Sequence, residues 1–324
     1  MKLNKKLLRA VCIFIVTALF ICMSSGCIKE NNNEDVTVVS GFSVHFIDVG
    51  NGDCIFIRFP DGKNMLIDCG ENSQSNLKNI DNILKTYSVT TIDYFVLTHP
   101  DADHVGNAES IVNSYTVNKA FIPNIYNGQD YKSFYKGVTA LQKKGVEIVY
   151  SRLGDGVLTD TYFMVFLSPC ASLDGDVYGE FNGLDCPTDA QINDLSPMIY
   201  VEYSNVSFLF TGDASKTQEK LVEDNVKLGI YNQFMKGKID LSQVDFLKVA
   251  HHGADDCSSQ DFLNMVQPQN AIISVGGNNI YGHPSSRVLD RLYLANPNVN
   301  ILRTDVCGNI CISVSANGEY EIYR

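Results

Sequence analysis

The sequence predicts an α/β domain built as a four-layer αββα sandwich. Strand-like and helix-like segments alternate through two successive halves, and no second linker or internal repeat divides them. Phe42 to Val49, Cys54 to Phe59 and Asn64 to Asp68 are short β-branched and apolar runs. Gly50-Asn51-Gly52 and Pro60-Asp61-Gly62 separate them, so they read as hairpin strands. Asn76 to Tyr87 then places Leu77, Ile80, Ile83 and Leu84 at helical spacing, and the apolar run Ile92 to Leu97 follows as a buried strand. A helix is expected near Phe134 to Lys144, a hairpin from Met198 to Thr211 and a strand from Val244 to Ala250, with helices and strands alternating from there to Tyr323. Residues 171–196 and 225–242 are less periodic and are expected as surface insertions or lids.

Residues 1–27 read as a lipoprotein-type signal peptide. Lys2, Lys5, Lys6 and Arg9 precede an apolar run from Ala10 to Met23 that is short for a spanning helix, and Ser24, Ser25 and Gly26 lead to Cys27. Cys27 is then the lipidated first residue of the mature chain, although Ser24 stands where such a lipobox usually has Leu. An uncleaved signal anchor is the competing reading, with a secreted form behind it, and each places the domain outside the cytoplasm. Residues 28–40, rich in Asn and acidic side chains, are expected as a flexible tether, and residues 41–324 as the domain. The leader holds four of the 25 Lys and Arg and none of the 37 Asp and Glu, so 21 cationic against 37 anionic groups leave the remainder near −16. Such a surface repels polyanions at long range, which disfavours a dedicated nucleic-acid-binding module, although a bound metal can create local positive potential. Beyond Cys12 and Cys22 of the leader, the cysteines show no close-spaced zinc pattern. Cys307 and Cys311 could pair in an oxidising compartment. No protein partner is evident.

The chemistry concentrates in Thr98-His99-Pro100-Asp101-Ala102-Asp103-His104, where a strand meets an expected helix start. Histidine and carboxylate are the ligand types that hold Zn²⁺ or a harder divalent ion with positions open for water. A helix cap would need one carboxylate and leaves two histidines and a second carboxylate unexplained. Further candidates follow other strands: Asp68 after Leu66-Ile67, Asp213 in Phe210-Thr211-Gly212-Asp213, and His251-His252 after Leu247-Lys248-Val249-Ala250.

These motifs carry a family resemblance. The run from His99 to His104 resembles the His-x-His-x-Asp-His signature of the metallo-β-lactamase superfamily, with Asp101 where the second His usually stands. That variant is similar to the extracellular domain of ComEC competence proteins and to teichoic-acid phosphorylcholine esterase. Asp48-Val49-Gly50-Asn51-Gly52-Asp53 is similar to the ComEC-like Asp-Val-Gly-Gln-Gly-Asp, and Tyr281-Gly282-His283-Pro284 to a further ComEC-like element. The resemblance implies a metallo-β-lactamase fold and one or two divalent ions, Mn²⁺ or Zn²⁺. It assigns His99 and Asp101 to one ion, Asp103, His104 and one of His251 and His252 to the other, and Asp213 as a bridge through its two oxygens. His251 is favoured over His252 because it lies nearer the strand end. Asp68 is expected to fix the ligand loop, with Asp48, Asp53 and His252 behind the ligands or on the rim, while Asp103 and His283 are the catalytic candidates. Proton donor, phosphate contact and structural residue remain alternatives for His283, and ordinary turn chemistry explains Asp48 and Asp53 nearly as well. The superfamily's middle histidine is missing, since no histidine lies between His104 and His251; Asn193 and Ser196 are the local candidates for its place. An oxygen-rich first site shifts preference from Zn²⁺ toward Mn²⁺.

The expected activity is metal-assisted hydrolysis of a phosphate ester, DNA or a nucleotide, at the outer cell surface. A cell-envelope phosphodiesterase acting on phosphocholine or teichoic-acid-like esters is the alternative within enzymes, and a non-catalytic metal-binding surface adaptor the alternative outside them.

Overall fold

The computed structural model describes residues 27–29, 39–125, 131–169, 189–235 and 239–324. The signal peptide to Gly26, most of the expected tether and residues 170–188 of the first expected insertion lie outside the described residues.

In chain order the strands are β1 (Cys27–Lys29), β2 (Phe42–Phe46), β3 (Ile55–Arg58), β4 (Asn64–Ile67), β5 (Thr91–Val96), β6 (Thr116–Ile122), β7 (Glu147–Tyr150), β8 (Gly156–Leu158), β9 (Tyr162–Phe166), β10 (Ile199–Tyr203), β11 (Val206–Phe210), β12 (Phe246–Lys248), β13 (Asn270–Ile273), β14 (Asn300–Arg303), β15 (Ile310–Val314) and β16 (Tyr320–Tyr323). The helices are α1 (Gln74–Thr86), α2 (Ala102–Val105), α3 (Ala108–Ser114), α4 (Lys132–Lys143), α5 (Asp189–Asn193), α6 (Lys216–Lys227), α7 (Ile230–Met235), α8 (Gln260–Val266), α9 (Ser286–Ala295) and α10 (Thr304–Cys307).

Two sheets form. One has the order β1-β16-β15-β2-β3-β4-β5-β6-β7 and the other β14-β13-β12-β11-β10-β9-β8. Alternation along each strand divides the apolar side chains between two faces. Phe46, Ile57, Met65 and Val96 of the first sheet meet Phe166, Val201, Phe208 and Phe246 of the second in the core between them. The opposite face of the first sheet, with Phe56, Leu66 and Phe95, is covered by Ile80 and Leu84 of α1, Ile111 of α3 and Leu141 of α4. Leu209, Leu247 and Ala271 of the second sheet are covered by Val222 of α6, Phe262 and Leu263 of α8 and Leu292 of α9. The αββα sandwich is therefore present, with the hydrophobic core in three layers.

Strands β4 to β7 run parallel, as do β11 to β14. The loops after β4, β5, β11 and β12 carry Asp68, His99, Asp213 and the His251-His252 pair, and they meet on one rim of the sandwich.

Several local expectations are revised. The run 225–242 is not simply an irregular insertion: α6 extends to Lys227 and α7 follows, with Tyr231 buried and its hydroxyl donating to the Leu167 carbonyl at 3.0 Å. The expected tether begins in β1, which pairs parallel with β16. The expected strand from Val244 to Ala250 is regular only over Phe246–Lys248, because residues 250–253 turn into a short 3₁₀ helix. Cys307 and Cys311 are both free thiols. They face different surroundings: Cys307 packs on the core between the sheets, while Cys311 points to the other face of β15, with Sγ 3.8 Å from His45 Nε2.

Candidate metal centre

Helix α2 starts immediately after the β5 loop, so His99 and His104 reach the rim from two directions within six residues. Both rings are buried, with centroids 4.1 Å apart. Asp68 fixes this loop. Its Oδ1 accepts from the Thr98 amide at 2.9 Å and its Oδ2 accepts from the Thr98 hydroxyl at 2.7 Å, and His104 Nδ1 lies 2.8 Å from Oδ2. Donation from Nδ1 to the carboxylate turns His104 Nε2 toward the rim, as metal-ligating histidines require. Burial raises the Asp68 pKa, opposed by His104. Burial disfavours charge on His104, but Asp213 and Asp68 outweigh it and hold its pKa well above the ordinary value.

Asp213 follows β11 through Gly212, whose φ of 51° suits glycine and where a side chain would collide with Ser196. Its Oδ2 is the convergence point: His104 Nε2 lies 3.3 Å away, His252 Nε2 3.5 Å, His251 Nε2 3.8 Å and His99 Nε2 3.9 Å. The Nε2 atoms of His99, His104 and His252 are buried without a hydrogen-bond partner. Orphaned imidazole nitrogens around one carboxylate oxygen are costly unless a cation joins them, so the donor set fits a divalent metal. His99, His104 and Asp213 form one cluster able to hold an ion, and Asp103, His104 and His252 another. Asp101 Oδ2 lies 3.7 Å from His99 Nε2 at the more exposed edge. Burial opposes ionisation of Asp103, but His252 and His104 outweigh it and hold its pKa well below the usual carboxylate range.

The sequence favours His251 as the ligand from this pair; the geometry favours His252. His252 is 1% exposed against 29% for His251, its Nδ1 donates to the Ser274 carbonyl at 2.8 Å, and its Nε2 lies 3.4 Å from Asp103 Oδ2. His251 instead sets Nδ1 3.4 Å from Asp256 at the rim. Both residues adopt left-handed backbone, with φ of 49° and 53°. This tight turn presents the second ring inward, so proximity to the strand end is a poor guide.

Lys248 is the residue that sequence reasoning passed over. The end of a short strand gives no sign that its ammonium is buried; a lysine inside the apolar run that leads into His251-His252 was the available signal. Its Nζ donates to the Gly212 carbonyl at 3.1 Å, lies 2.5 Å from Asp53 Oδ2 and 3.7 Å from Asp213 Oδ1. Burial would lower its pKa, but Asp53 and Asp213 outweigh that and raise it. Asp213 thus turns Oδ2 toward the imidazoles and Oδ1 toward Lys248. Asp53, expected behind the ligands or on the rim, is buried as the partner of Lys248.

Ser196, one of the two local candidates for the place of the missing histidine, sets Oγ 3.3 Å from His99 Nδ1 and 3.2 Å from the Asp213 amide that donates to it. Asn193, the other candidate, has a buried, unpartnered Oδ1 in α5. Asp48 serves its own turn, accepting from the Gly50 amide at 3.0 Å, and takes no part in the clusters. His283 stands outside them, its ring 5.8 Å from that of His251.

Fold and site together define a metallo-hydrolase fold with candidate metal ligands, and the family model described as the metallo-beta-lactamase superfamily matches residues 47–161. The chain has the fold of that superfamily and is similar to ComEC-type proteins: it is 30% identical over 283 residues to ComE operon protein 3 of Bacillus subtilis (strain 168) and 26% identical over 273 residues to competence protein ComA of Neisseria gonorrhoeae. These matches cover 82% and 84% of this chain and 32% of each relative, so the chain spans about a third of the length of these curated relatives. The solved structure of CmlA, a diiron β-hydroxylase from Streptomyces venezuelae, shares the fold at a TM-score of 0.50 and 13% identity, over 86% of this chain and 55% of that one. Among the described residues no helix is long and apolar enough to cross a membrane.

Proposed function

We propose that the protein is a metal-dependent phosphodiesterase acting on DNA or nucleotides outside the cytoplasm, tethered by lipid on Cys27. The observation that carries this reading is the convergence of three buried, unpartnered imidazole nitrogens on Asp213 Oδ2. His99, Asp101 and Asp213 would hold one ion, and Asp103, His104, His252 and Asp213 the other. Five carboxylates, Asp53, Asp68, Asp101, Asp103 and Asp213, lie in or just behind the centre; Lys248 offsets one, and a divalent pair would offset the other four. The carboxylate-rich set favours Mn²⁺ over Zn²⁺. When bound, such ions supply a water that ionises near neutral pH and neutralise charge on phosphoryl oxygens.

The protein's own residues do the rest. Asp68 and Ser196 keep His104 and His99 in a single orientation, Lys248 restrains the outer oxygen of Asp213, and Asp103 offers an ionised oxygen beside the reacting position. His283, its ring 5.8 Å from that of His251, would be the candidate donor to a leaving oxygen. The names of two relatives, competence protein ComA of Neisseria gonorrhoeae and recombination protein 2 of Haemophilus influenzae, support a nucleic-acid substrate. The charged leader and Cys27 support the location.

The test is hydrolysis of bis-p-nitrophenyl phosphate by the purified protein with Mn²⁺, Zn²⁺ or chelator, beside Asp103→Ala. Metal-dependent turnover that Asp103→Ala abolishes is the expected result. Absence of turnover despite stoichiometric metal binding would replace the enzyme reading with that of a metal-binding adaptor.

A further inference from the structure

An aromatic row leads outward from the metal centre. The His251 and His283 rings lie 5.8 Å apart, and Tyr281 stacks on His283 at 5.7 Å with the planes 15° apart. Tyr281 is 67% exposed and its neighbour Ile280 is 91% exposed, so one face of the phenol rests on His283 while most of the ring meets solvent. An exposed Ile-Tyr pair beside a polar rim needs a reason, since burying either would release apolar surface from water.

The loop that presents them is held firmly. Asn279 donates to the Gly276 carbonyl at 2.7 Å and the His283 carbonyl at 2.9 Å, and accepts from the His283 amide at 2.9 Å. At one end Gly276 packs so closely on the Gly50-Asn51 turn that a Cβ there would come within 2.8 Å of the Asn51 amide nitrogen. At the other end Pro284 packs on Gly253 and the Ser285 amide donates to the Gly253 carbonyl at 2.8 Å, directly after the His251-His252 turn. The position of Tyr281 is therefore fixed relative to the proposed ligand His252 by backbone contacts at both ends of the loop.

We infer that Tyr281, backed by His283 and flanked by Ile280, is a stacking platform for a nucleobase adjoining the scissile phosphate. The inference rests on the phosphodiesterase reading and narrows its substrate to a base-bearing strand or nucleotide. Charge sharpens the case: with 37 acidic against 25 basic side chains, the surface away from the metal centre gains little from a phosphate backbone, so affinity there is best supplied by a source that salt does not screen. Base stacking on an aromatic ring is such a source, tolerant of sequence and contributing about 1–3 kcal/mol per base.

The experiment compares cleavage by the full Mn²⁺-loaded protein of a short thymidine oligonucleotide and of an abasic oligonucleotide of equal length and charge, with bis-p-nitrophenyl phosphate alongside. The base-bearing strand is expected to be preferred about tenfold in kcat/KM, within the range that one stacked base supplies. That ratio should fall to near one in Tyr281→Ala, persist in Tyr281→Phe, and change little with added salt. A ratio near one in the unsubstituted protein, or one that survives Tyr281→Ala, overturns the platform and leaves the phosphodiesterase reading standing. Cleavage of neither strand while bis-p-nitrophenyl phosphate is hydrolysed overturns the platform together with the nucleic-acid substrate, and hydrolysis of a phosphocholine ester in its place would identify the other ester class. Failure on all substrates with metal bound removes the enzyme reading and the platform with it.

Discussion

Replacing Lys248 by Met removes the one ammonium among the described residues that touches the carboxylate cluster. Lys248 and Asp53 are each about 1% exposed, and their charged atoms lie 2.5 Å apart. Methionine has similar reach and leaves little void, so the loss is chiefly electrostatic: Asp53 loses its nearest countercharge, leaving only His104 at 4.0 Å and His252 at 3.8 Å, and the Gly212 carbonyl loses a donor. Breaking a buried pair from one side costs about 3–5 kcal/mol. For a domain of this size 1 kcal/mol corresponds to roughly 2–4 °C, so Tm in chelator should fall by about 6–20 °C. Two further measurements separate this from a general packing defect. Mn²⁺ should narrow the gap between Lys248→Met and the unsubstituted protein, because a divalent ion offsets the same carboxylates. The double variant Asp53→Leu with Lys248→Met should recover most of the loss, because it removes both members of the pair. Thermal and urea unfolding with and without metal is the assay. A single variant within about 0.5 kcal/mol of the unsubstituted protein, or a double variant as unstable as the sum of its singles, would refute the coupling.

Two other outcomes follow from the site and the sheet. His252→Ala should reduce bound Mn²⁺ by one ion per chain in calorimetric titration, whereas His251→Ala should keep the stoichiometry; the reverse result would restore His251 as the ligand. His45 lies buried between Ser43 and Cys311, where burial and then Arg58 lower its pKa to about 3. The unfolded chain binds this proton below about pH 6.5 and the folded protein does so only near pH 3, so stability rises with pH across that window, by about 1.4 kcal/mol per unit. His45→Leu should flatten the slope of urea-unfolding free energy between pH 4 and 6 relative to the unsubstituted protein, and an unchanged slope would refute the assignment.

The sequence by itself determined the layers and most of the chemistry, because both are written locally. Period-two and helical patterning fixed α1, α4 and the β10–β11 hairpin to within a few residues. The strand ends marked Asp68, His99, Asp213 and the histidine pair, since parallel strands deliver the loops that follow them to one rim. What depended on direction in space was hidden. The choice between His251 and His252 turns on two consecutive left-handed residues that no propensity announces. The role of Lys248 depends on β12 being inserted beside β11, so that its ammonium meets Asp53 from a loop 195 positions earlier in the chain. The final hairpin, β15 and β16, joins the first sheet across β2 and not the second sheet built just before it. A side chain's type and spacing can name a ligand, but which oxygen faces the metals and which faces a buried cation is fixed only when distant loops pack together.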